Sequence, residues 1–180
     1  GILFCFFTSS FALHATENDD LVKAMMEVYA EELAANPQDY RTYYSRAMAY
    51  FGQGDMKKAL SDIDNAIKYF PRKEKDDLAQ AYLLRAKILS ERGETKSALT
   101  DLNSALRLVP NHRLALKDRG DLLCQLGQYD MAKIDYNHLL RMDTRSQSAF
   151  MGLARVEAHT GQPVRAKDLL AQAVNLSPKH

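Results

Sequence analysis

Glycine and proline recur in this chain at a fixed interval, and that interval limits the folds it can adopt. The spacing from Pro110 to Pro178 is twice the spacing from Pro37 to Pro71. The middle interval, from Pro71 to Pro110, is longer by five positions, so an insertion falls in this stretch. A period of about 34 residues is typical of arrays in which one small supersecondary unit is repeated and stacked.

Four units follow when position 1 is placed at Tyr40, Ala79, Arg113 and Gln147. Position 8 is always small, position 15 is always glycine and position 20 is always alanine. Positions 4 and 24 are large and apolar in every unit, and position 11 is so in the first three, with Glu157 as the exception. The small and glycine positions are Ala47, Ala86, Gly120 and Ala154; Gly54, Gly93, Gly127 and Gly161; and Ala59, Ala98, Ala132 and Ala166.

This pattern predicts two antiparallel helices per unit. Large residues at positions 4 and 11 with a small residue at 8 place a knob and a notch on the first helix, so the second helix approaches closely through its alanine at 20. Glycine at 15 supplies the left-handed residue that ends the first helix. Proline at 32, replaced by Thr144 in the third unit, stops the second helix. One hairpin cannot bury its apolar faces alone, so stacked neighbours must share a core.

At these positions the chain resembles the tetratricopeptide repeat (TPR), a helix-turn-helix unit of about 34 residues. The resemblance covers four units, at residues 40–71, 79–110, 113–144 and 147–178. It implies an all-α fold: an α-α superhelix (TPR solenoid) of stacked antiparallel helix hairpins.

The flanking segments differ from the repeats. Residues 18–36 fit an N-terminal capping helix that ends at Pro37. Residues 1–15, an apolar run followed by small residues, are typical of a signal-peptide remnant, which predicts an exported protein, periplasmic or extracellular; the alternative is a real helix that packs on the next one. After Pro178 no helix remains to cover the last hairpin, so either another segment follows or a partner covers this end.

An arginine lies on the apolar face of the first helix in three repeats. Position 7 is Arg46, Arg85 and Arg119, and position 23, in the second helix of the same unit, is Asp62, Asp101 and Asp135. In the fourth repeat both positions are leucine. Because the two positions change together, we predict an ion pair within each of the first three repeats, with a structural role.

The sequence gives little support for catalysis or for a cofactor. Five histidines are scattered without the spacing of a metal site, and a glycine-rich phosphate loop is absent. Cys124 is interpreted as a small helical residue rather than a reactive thiol. A formal net charge of +1 argues against nucleic acid or an anionic membrane as partner, and no stable membrane insertion is expected after removal of the signal. We therefore expect no enzyme activity and no cofactor.

The resemblance also implies where a ligand would bind. In TPR arrays, positions 2, 5, 9 and 12 of the first helix line a concave groove that holds extended peptides or partner helices. The predicted groove residues here are Arg41, Tyr44, Met48, Phe51, Leu83, Lys87, Lys117, Asp121, Met151 and Arg155. Tyr44 and Met48 replace the Lys and Asn with which some family members hold the acidic tails of chaperones, so that specialised function is not expected.

Basic residues outnumber Asp121 in this set, and its apolar members lie mainly in the first repeat. We therefore expect a non-catalytic scaffold for a protein or peptide with apolar anchors and acidic residues or a free carboxylate. Two alternatives stay open. The apolar cluster could pack under the N-terminal helix or a neighbouring molecule, and the chain could be the extracytoplasmic sensor or regulatory TPR portion of a larger protein.

Overall fold

A computed structural model describes residues 20–176, and within this range the chain forms nine helices and no strand. The predicted signal remnant at residues 1–15 and the final Pro178 lie outside the described residues. The first helix, α1, occupies residues 20–35. The others are α2 (Tyr40–Gly52), α3 (Met56–Tyr69), α4 (Lys75–Glu91), α5 (Thr95–Leu108), α6 (Arg113–Gln125), α7 (Tyr129–Met142), α8 (Gln147–His159) and α9 (Pro163–Asn175).

The chain divides into two compact units between Phe70 and Pro71. The first unit holds α1 and the hairpin α2–α3. The second unit holds the hairpins α4–α5, α6–α7 and α8–α9; within it α5 packs on α6, α7 packs on α8, and the first helices α6 and α8 also touch.

Glycine sets the turn inside each hairpin. Gly54, Gly93, Gly127 and Gly161 have φ values of 71° to 78°, the left-handed conformation that a side chain disfavours. In the first hairpin, polar side chains also cap the start of each helix. Asp39 accepts from the amide of Arg41 at the start of α2, and Asp55 accepts from the amide of Lys58 at the start of α3. The turn inside each hairpin is therefore set by the local backbone conformation of one glycine.

The insertion lies in the connection before the second hairpin. Part of it lengthens α4, which begins at Lys75, one helical turn before the predicted unit start at Ala79. Asp76 and Asp77 lie in the added turn, where negative charge is favoured by the helix dipole. The insertion therefore extends a helix at its start and leaves the spacing of the later repeats unchanged.

The first helix, α1, docks on α2 through one apolar and one polar contact region. Leu33 is buried, and the buried hydroxyl of Thr42 lies 2.8 Å from Glu32 Oε2 and 2.9 Å from Asp39 Oδ2. Since a hydroxyl has one proton, Thr42 donates to one of these carboxylates at a time. The contact joins the C-terminal half of α1 to the start of the first repeat.

Close approach of the paired helices is visible at the small positions. Ala47 and Ala59 are completely buried in the first hairpin, as are Ala98 and Ala132 in the second helices of the next two. A larger side chain at these positions would have to force the helices apart, because protein interiors leave few voids as large as a methylene group. These alanines therefore set the distance between the helices.

The third repeat solves the same packing problem with different residues. Its position 24 is Tyr136, a completely buried ring on α7 where the other repeats have Ile63, Leu102 and Leu170. A Cβ added to Gly120 on α6 would lie 2.8 Å from this ring, and a Cβ added to Gly152 on α8 would overlap it. The two glycines thus make room for the tyrosine from the helices on either side.

The buried ion pairs are formed in all three repeats where position 7 is arginine. Each guanidinium grips its aspartate through two hydrogen bonds: Arg46 to Asp62 (2.7 and 2.8 Å), Arg85 to Asp101 (2.7 and 2.7 Å), and Arg119 to Asp135 (2.8 and 2.6 Å). The three carboxylates are almost fully buried, whereas the arginine side chains are about one quarter exposed. The geometry is that of bidentate pairs that join the two helices of one hairpin.

The arginine stems also contact aromatic rings. The guanidinium carbon of Arg46 lies 5.9 Å from the ring centre of Tyr43 and 6.0 Å from that of Tyr50. A cation near ring faces is attracted by their quadrupole. The positive charge on the apolar face of α2 is thus balanced by one carboxylate and two rings.

The fourth repeat carries its buried charge elsewhere. Glu157, the exception at position 11, is buried and accepts from Lys133 of the preceding repeat at 2.7 Å, with Arg165 Nε at 3.5 Å. Leu153, which replaces the arginine, is buried. An ion pair between neighbouring repeats therefore accompanies the loss of the pair within the hairpin.

We expect Arg85→Leu to lower the free energy of unfolding by about 2 to 4 kcal/mol, because it leaves the buried carboxylate of Asp101 without its partner. Adding Asp101→Leu should recover much of this loss, since leucine occupies both positions in the fourth repeat. Urea unfolding of the two single variants and the double variant measures the coupling. A double-mutant cycle without coupling would contradict the structural role of the pair.

We expect Gly152→Ala to lower the free energy of unfolding by about 1 to 3 kcal/mol, because the new methyl group would overlap the ring of Tyr136. Gly52→Ala is the matched control: a Cβ there meets no atom within 4 Å, so the better helix propensity of alanine should raise stability by about 0.5 to 1 kcal/mol. Both are measured by chemical denaturation. If Gly152→Ala were neutral, or if Tyr136→Leu failed to relieve its effect, the proposed fit of ring and glycine would be wrong.

Candidate functional site

The groove residues predicted in the first repeat share one side of α2. Arg41 and Met48 are exposed, while Tyr44 and Phe51 are partly exposed. The guanidinium carbon of Arg41 lies 5.0 Å from the ring centre of Tyr40. This side of α2 therefore presents an exposed thioether and a cation, with aromatic side chains between them.

In the second repeat the structure corrects one predicted groove residue. Lys87 is exposed, but Leu83 is only 3% exposed and cannot contact a ligand. The physical reason is that α4 is buried along most of its length, with Leu78, Ala81 and Ile88 also inside the core. An aliphatic side chain at this position joins that core, whereas the lysine one turn later reaches water.

Asp121 organises the polar groups that the third and fourth repeats bring together. Its Oδ2 accepts from Lys117 at 2.8 Å, and its Oδ1 accepts from Arg155 of α8 at 2.9 Å and from the hydroxyl of Tyr136 at 2.8 Å. Asp121 and Lys117 are one turn apart on α6, so the carboxylate connects α6, α7 and α8. Three of the predicted groove residues thus form a single cluster.

The environment shifts the proton affinities in this cluster. Burial on its own would raise the pKa of Asp121, but hydrogen bonds from Lys117 and Tyr136, together with the charges of Lys117 and Arg155, hold that pKa below its ordinary value. The hydrogen bond to Asp121 raises the pKa of Lys117. At neutral pH the cluster therefore contains one carboxylate and two cations.

Two further groups in this cluster are kept neutral. Burial raises the pKa of the Tyr136 hydroxyl, and its hydrogen bond to Asp121 raises it further. Cys124 is buried with its Sγ 3.8 Å from that hydroxyl, and burial raises the pKa of its thiol. A protonated, buried thiol is a poor nucleophile, so Cys124 does not provide this cluster with a reactive group.

A small cavity lies beside the cluster, between the first turns of α6 and α8. Its volume is about 100 Å³, and it is lined by Arg113, Leu114, Lys117, Leu139, Ser146 and Ser148. Leu139 is buried, Leu114 is about half exposed, and Arg113 lies 3.3 Å from the carboxylate of Asp143. The lining of the cavity therefore combines two leucine side chains with two cations and two hydroxyls.

Sequence analysis located only part of this site. Lys117, Asp121, Met151 and Arg155 were predicted, but Arg113, Leu139 and Ser146 were not, because they fall outside the groove positions of the repeat. Ser146 had a recognisable signal as the cap of α8, where it accepts from the amide of Ala149. The cavity itself depends on the distance between two helices, which no single repeat encodes.

The carboxylate of Asp118, which follows Lys117 on α6, has an unused acceptor. Its Oδ1 lies 3.4 Å from Lys117 Nζ, but its Oδ2 is buried and has no hydrogen-bond partner in residues 20–176. A buried acceptor without a partner costs free energy.

The first unit contains a larger and more open cleft, of about 690 Å³. Its walls are α1, through Val22 and Met26, and the end of α2, through Ala49 and Gln53. None of the predicted groove residues lines it. Across the part of the chain that the structure describes, no group of three metal-binding side chains occurs, and no helix has the length and apolar character needed to cross a bilayer.

We expect Asp121→Asn to lower the free energy of unfolding by about 1 to 3 kcal/mol at pH 7, because an amide cannot replace the charge between Lys117 and Arg155. The folded protein holds the pKa of Asp121 below its unfolded value near 4, so the carboxylate stabilises the fold above that pH and loses this effect as the pH falls through the lower, folded pKa. The difference between wild type and variant should therefore shrink from pH 7 to pH 3. Urea unfolding at both values tests this, and a difference that grows on acidification would contradict it.

Comparison with known proteins places these features in a family. A family model described as tetratricopeptide repeat matches residues 26–77, 44–113, 83–136 and 117–180. A comparison with curated protein sequences finds no match.

Solved structures with similar folds include MamA, at 16% identity and a TM-score of 0.78 over 90% of this chain and 92% of MamA. YrrB, described as a TPR protein with an unusual peptide-binding site, has 20% identity and a TM-score of 0.75 over 95% of this chain and 85% of its own. A tetratricopeptide repeat protein from Parabacteroides merdae has 26% identity and a TM-score of 0.77 over 92% of this chain and 64% of its own. The chain belongs to the tetratricopeptide-repeat family, with the all-α fold of a protein–protein interaction scaffold.

Proposed function

We propose that this protein is a non-catalytic scaffold that holds an extended segment of a partner protein against α6 and α8. The observation that carries the proposal is the cavity between these helices, whose lining combines two leucines with two cations and two hydroxyls. A pocket of about 100 Å³ accepts one aliphatic side chain, while Arg113 and Lys117 suit a carboxylate beside it.

Exposed side chains around the cavity extend this surface. Leu114 and Met151 are each about half exposed, which is unfavourable in water and favours burial under a partner. Apolar anchors surrounded by polar groups are the usual arrangement of a peptide-binding surface.

The partner should carry an aliphatic residue next to an acidic residue or a chain-terminal carboxylate. Asp121 already engages Lys117 and Arg155, so a ligand carboxylate must compete with it for these cations. Arg113 has the weaker internal contact, at 3.3 Å, and is the cation most available to the ligand. We further propose that Arg41, Tyr44, Met48 and Phe51 on α2 and Lys87 on α4 contact other parts of the partner, and that the protein acts outside the cytoplasm.

A peptide library displayed on phage tests the proposal when it is selected in parallel on wild type and on two variants. Ser148→Leu fills the cavity, and we expect it to weaken the selected peptides at least tenfold. Gln80→Leu is the matched control, since Gln80 is exposed at the same position of the second repeat and does not line the cavity. It should leave affinity unchanged.

Circular dichroism first shows that both variants fold. Selected peptides should share an aliphatic residue beside an acidic group, and their affinities are then measured by calorimetry. Equal binding by wild type and Ser148→Leu would reject the cavity as the site, and failure of the library to yield any binding peptide would reject the proposed peptide-binding function.

A further inference from the structure

The second helix of the last repeat leaves an apolar face uncovered in the described structure. In the second repeat, Leu102 and Leu106 at positions 24 and 28 are 1% and 7% exposed, because α5 packs on α6. The same positions on α9 are Leu170 and Val174, which are 48% and 68% exposed. The sequence thus places on α9 apolar side chains at the positions with which α5 packs on the next helix.

A second uncovered face runs along α1. Leu21, Met25 and Val28 are 61%, 39% and 51% exposed, and their spacing of four and three residues puts them on one side of the helix. Met25 also lines the cleft between α1 and α2, whereas Leu33, near the end of α1, is buried. When α1 is aligned with the second helices of the repeats, Met25 falls at position 20. At this position each of the four repeats has a buried alanine that faces the first helix of its hairpin.

The charges beside the two faces are opposite in sign. At 100° per residue, Asp20, Glu27 and Glu31 lie along the open edge of the α1 face. On α9, Lys167 is the charged residue that flanks Leu170 and Val174, whereas Arg165 and Asp168 lie on the other side of the helix. Because the charges beside the two apolar faces are opposite in sign, contact between α1 and α9 is favoured over contact of either helix with a second copy of itself.

We propose that α9 of one copy binds α1 of a second copy, so that the protein associates head to tail. The contact buries Leu170 and Val174 against Leu21, Met25 and Val28, and it places Lys167 beside the acidic edge of α1. It is heterologous, because each copy contributes a different surface, so a chain of copies can grow from both ends. The proposal is independent of the peptide-binding surface on α6 and α8.

The size of the faces sets the strength of association. Two to three large side chains from each helix make an interface below the roughly 1,200 Å² at which stable complexes begin. Association should therefore be weak and reversible, and it should strengthen as salt is reduced, because Lys167 pairs with carboxylates at an exposed edge.

Sedimentation velocity of the full chain over a wide range of concentration tests the proposal with exposed-site variants. Wild type should show concentration-dependent association. Val174→Glu and Val28→Glu should each abolish it, since both side chains are more than half exposed in one copy and neither is needed for folding. An equimolar mixture of the two variants should form dimers that grow no further, because the intact α1 of the first binds the intact α9 of the second.

Ile134→Glu is the matched control, since Ile134 on α7 is similarly exposed and lies outside both faces. It should associate like wild type. If Val28→Glu associates like wild type while Val174→Glu does not, α9 binds something other than α1, such as a second α9, and the proposal is wrong. It is also wrong if wild type stays monomeric at every concentration, or if the mixture of variants forms no dimer.

Discussion

The close approach of the two helices in each hairpin is the constraint on which the rest of the structure depends. Buried alanines at position 20 leave no space between the helices. At that distance an arginine on one helix reaches an aspartate on the other with two short hydrogen bonds, as Arg85 and Asp101 do. Side chains of the first helices that do not face the second helix form a surface, and the candidate site lies on this surface at α6 and α8.

The period of the sequence predicted the hairpins because each of its elements acts locally. Glycine with positive φ ends a helix whatever surrounds it, and the constant spacing of arginine and aspartate is set by one turn and two helices. Tertiary neighbours follow different rules. Leu83 occupies a groove position of its repeat but lies in the core, because the exposure of a side chain on α4 depends on how that helix packs and not on the repeat pattern alone. The cavity between α6 and α8 depends on two repeats at once and was missed for the same reason.

The charge of the candidate surface shows how far counting residues can mislead. The sequence places Lys117 and Arg155 at groove positions against the single acidic residue Asp121, which suggests a basic surface. In the fold both cations contact that one carboxylate, and it also accepts from Tyr136. A ligand therefore meets cations whose positions are already fixed, so that it loses less entropy in ordering them but gains less from neutralising them.

The fit of Tyr136 between Gly120 and Gly152 has a consequence for how such an array can change over generations. The three residues belong to two neighbouring repeats, so neither repeat is a freely exchangeable module. A copy of the third repeat placed before a repeat without a glycine at the position of Gly152 would put a bulkier residue against the ring of Tyr136. Deletion of the fourth repeat would remove Gly152 and one side of the space that holds the ring. Recombination that separates the third repeat from the fourth should therefore destabilise the fold, so these two repeats should be inherited together.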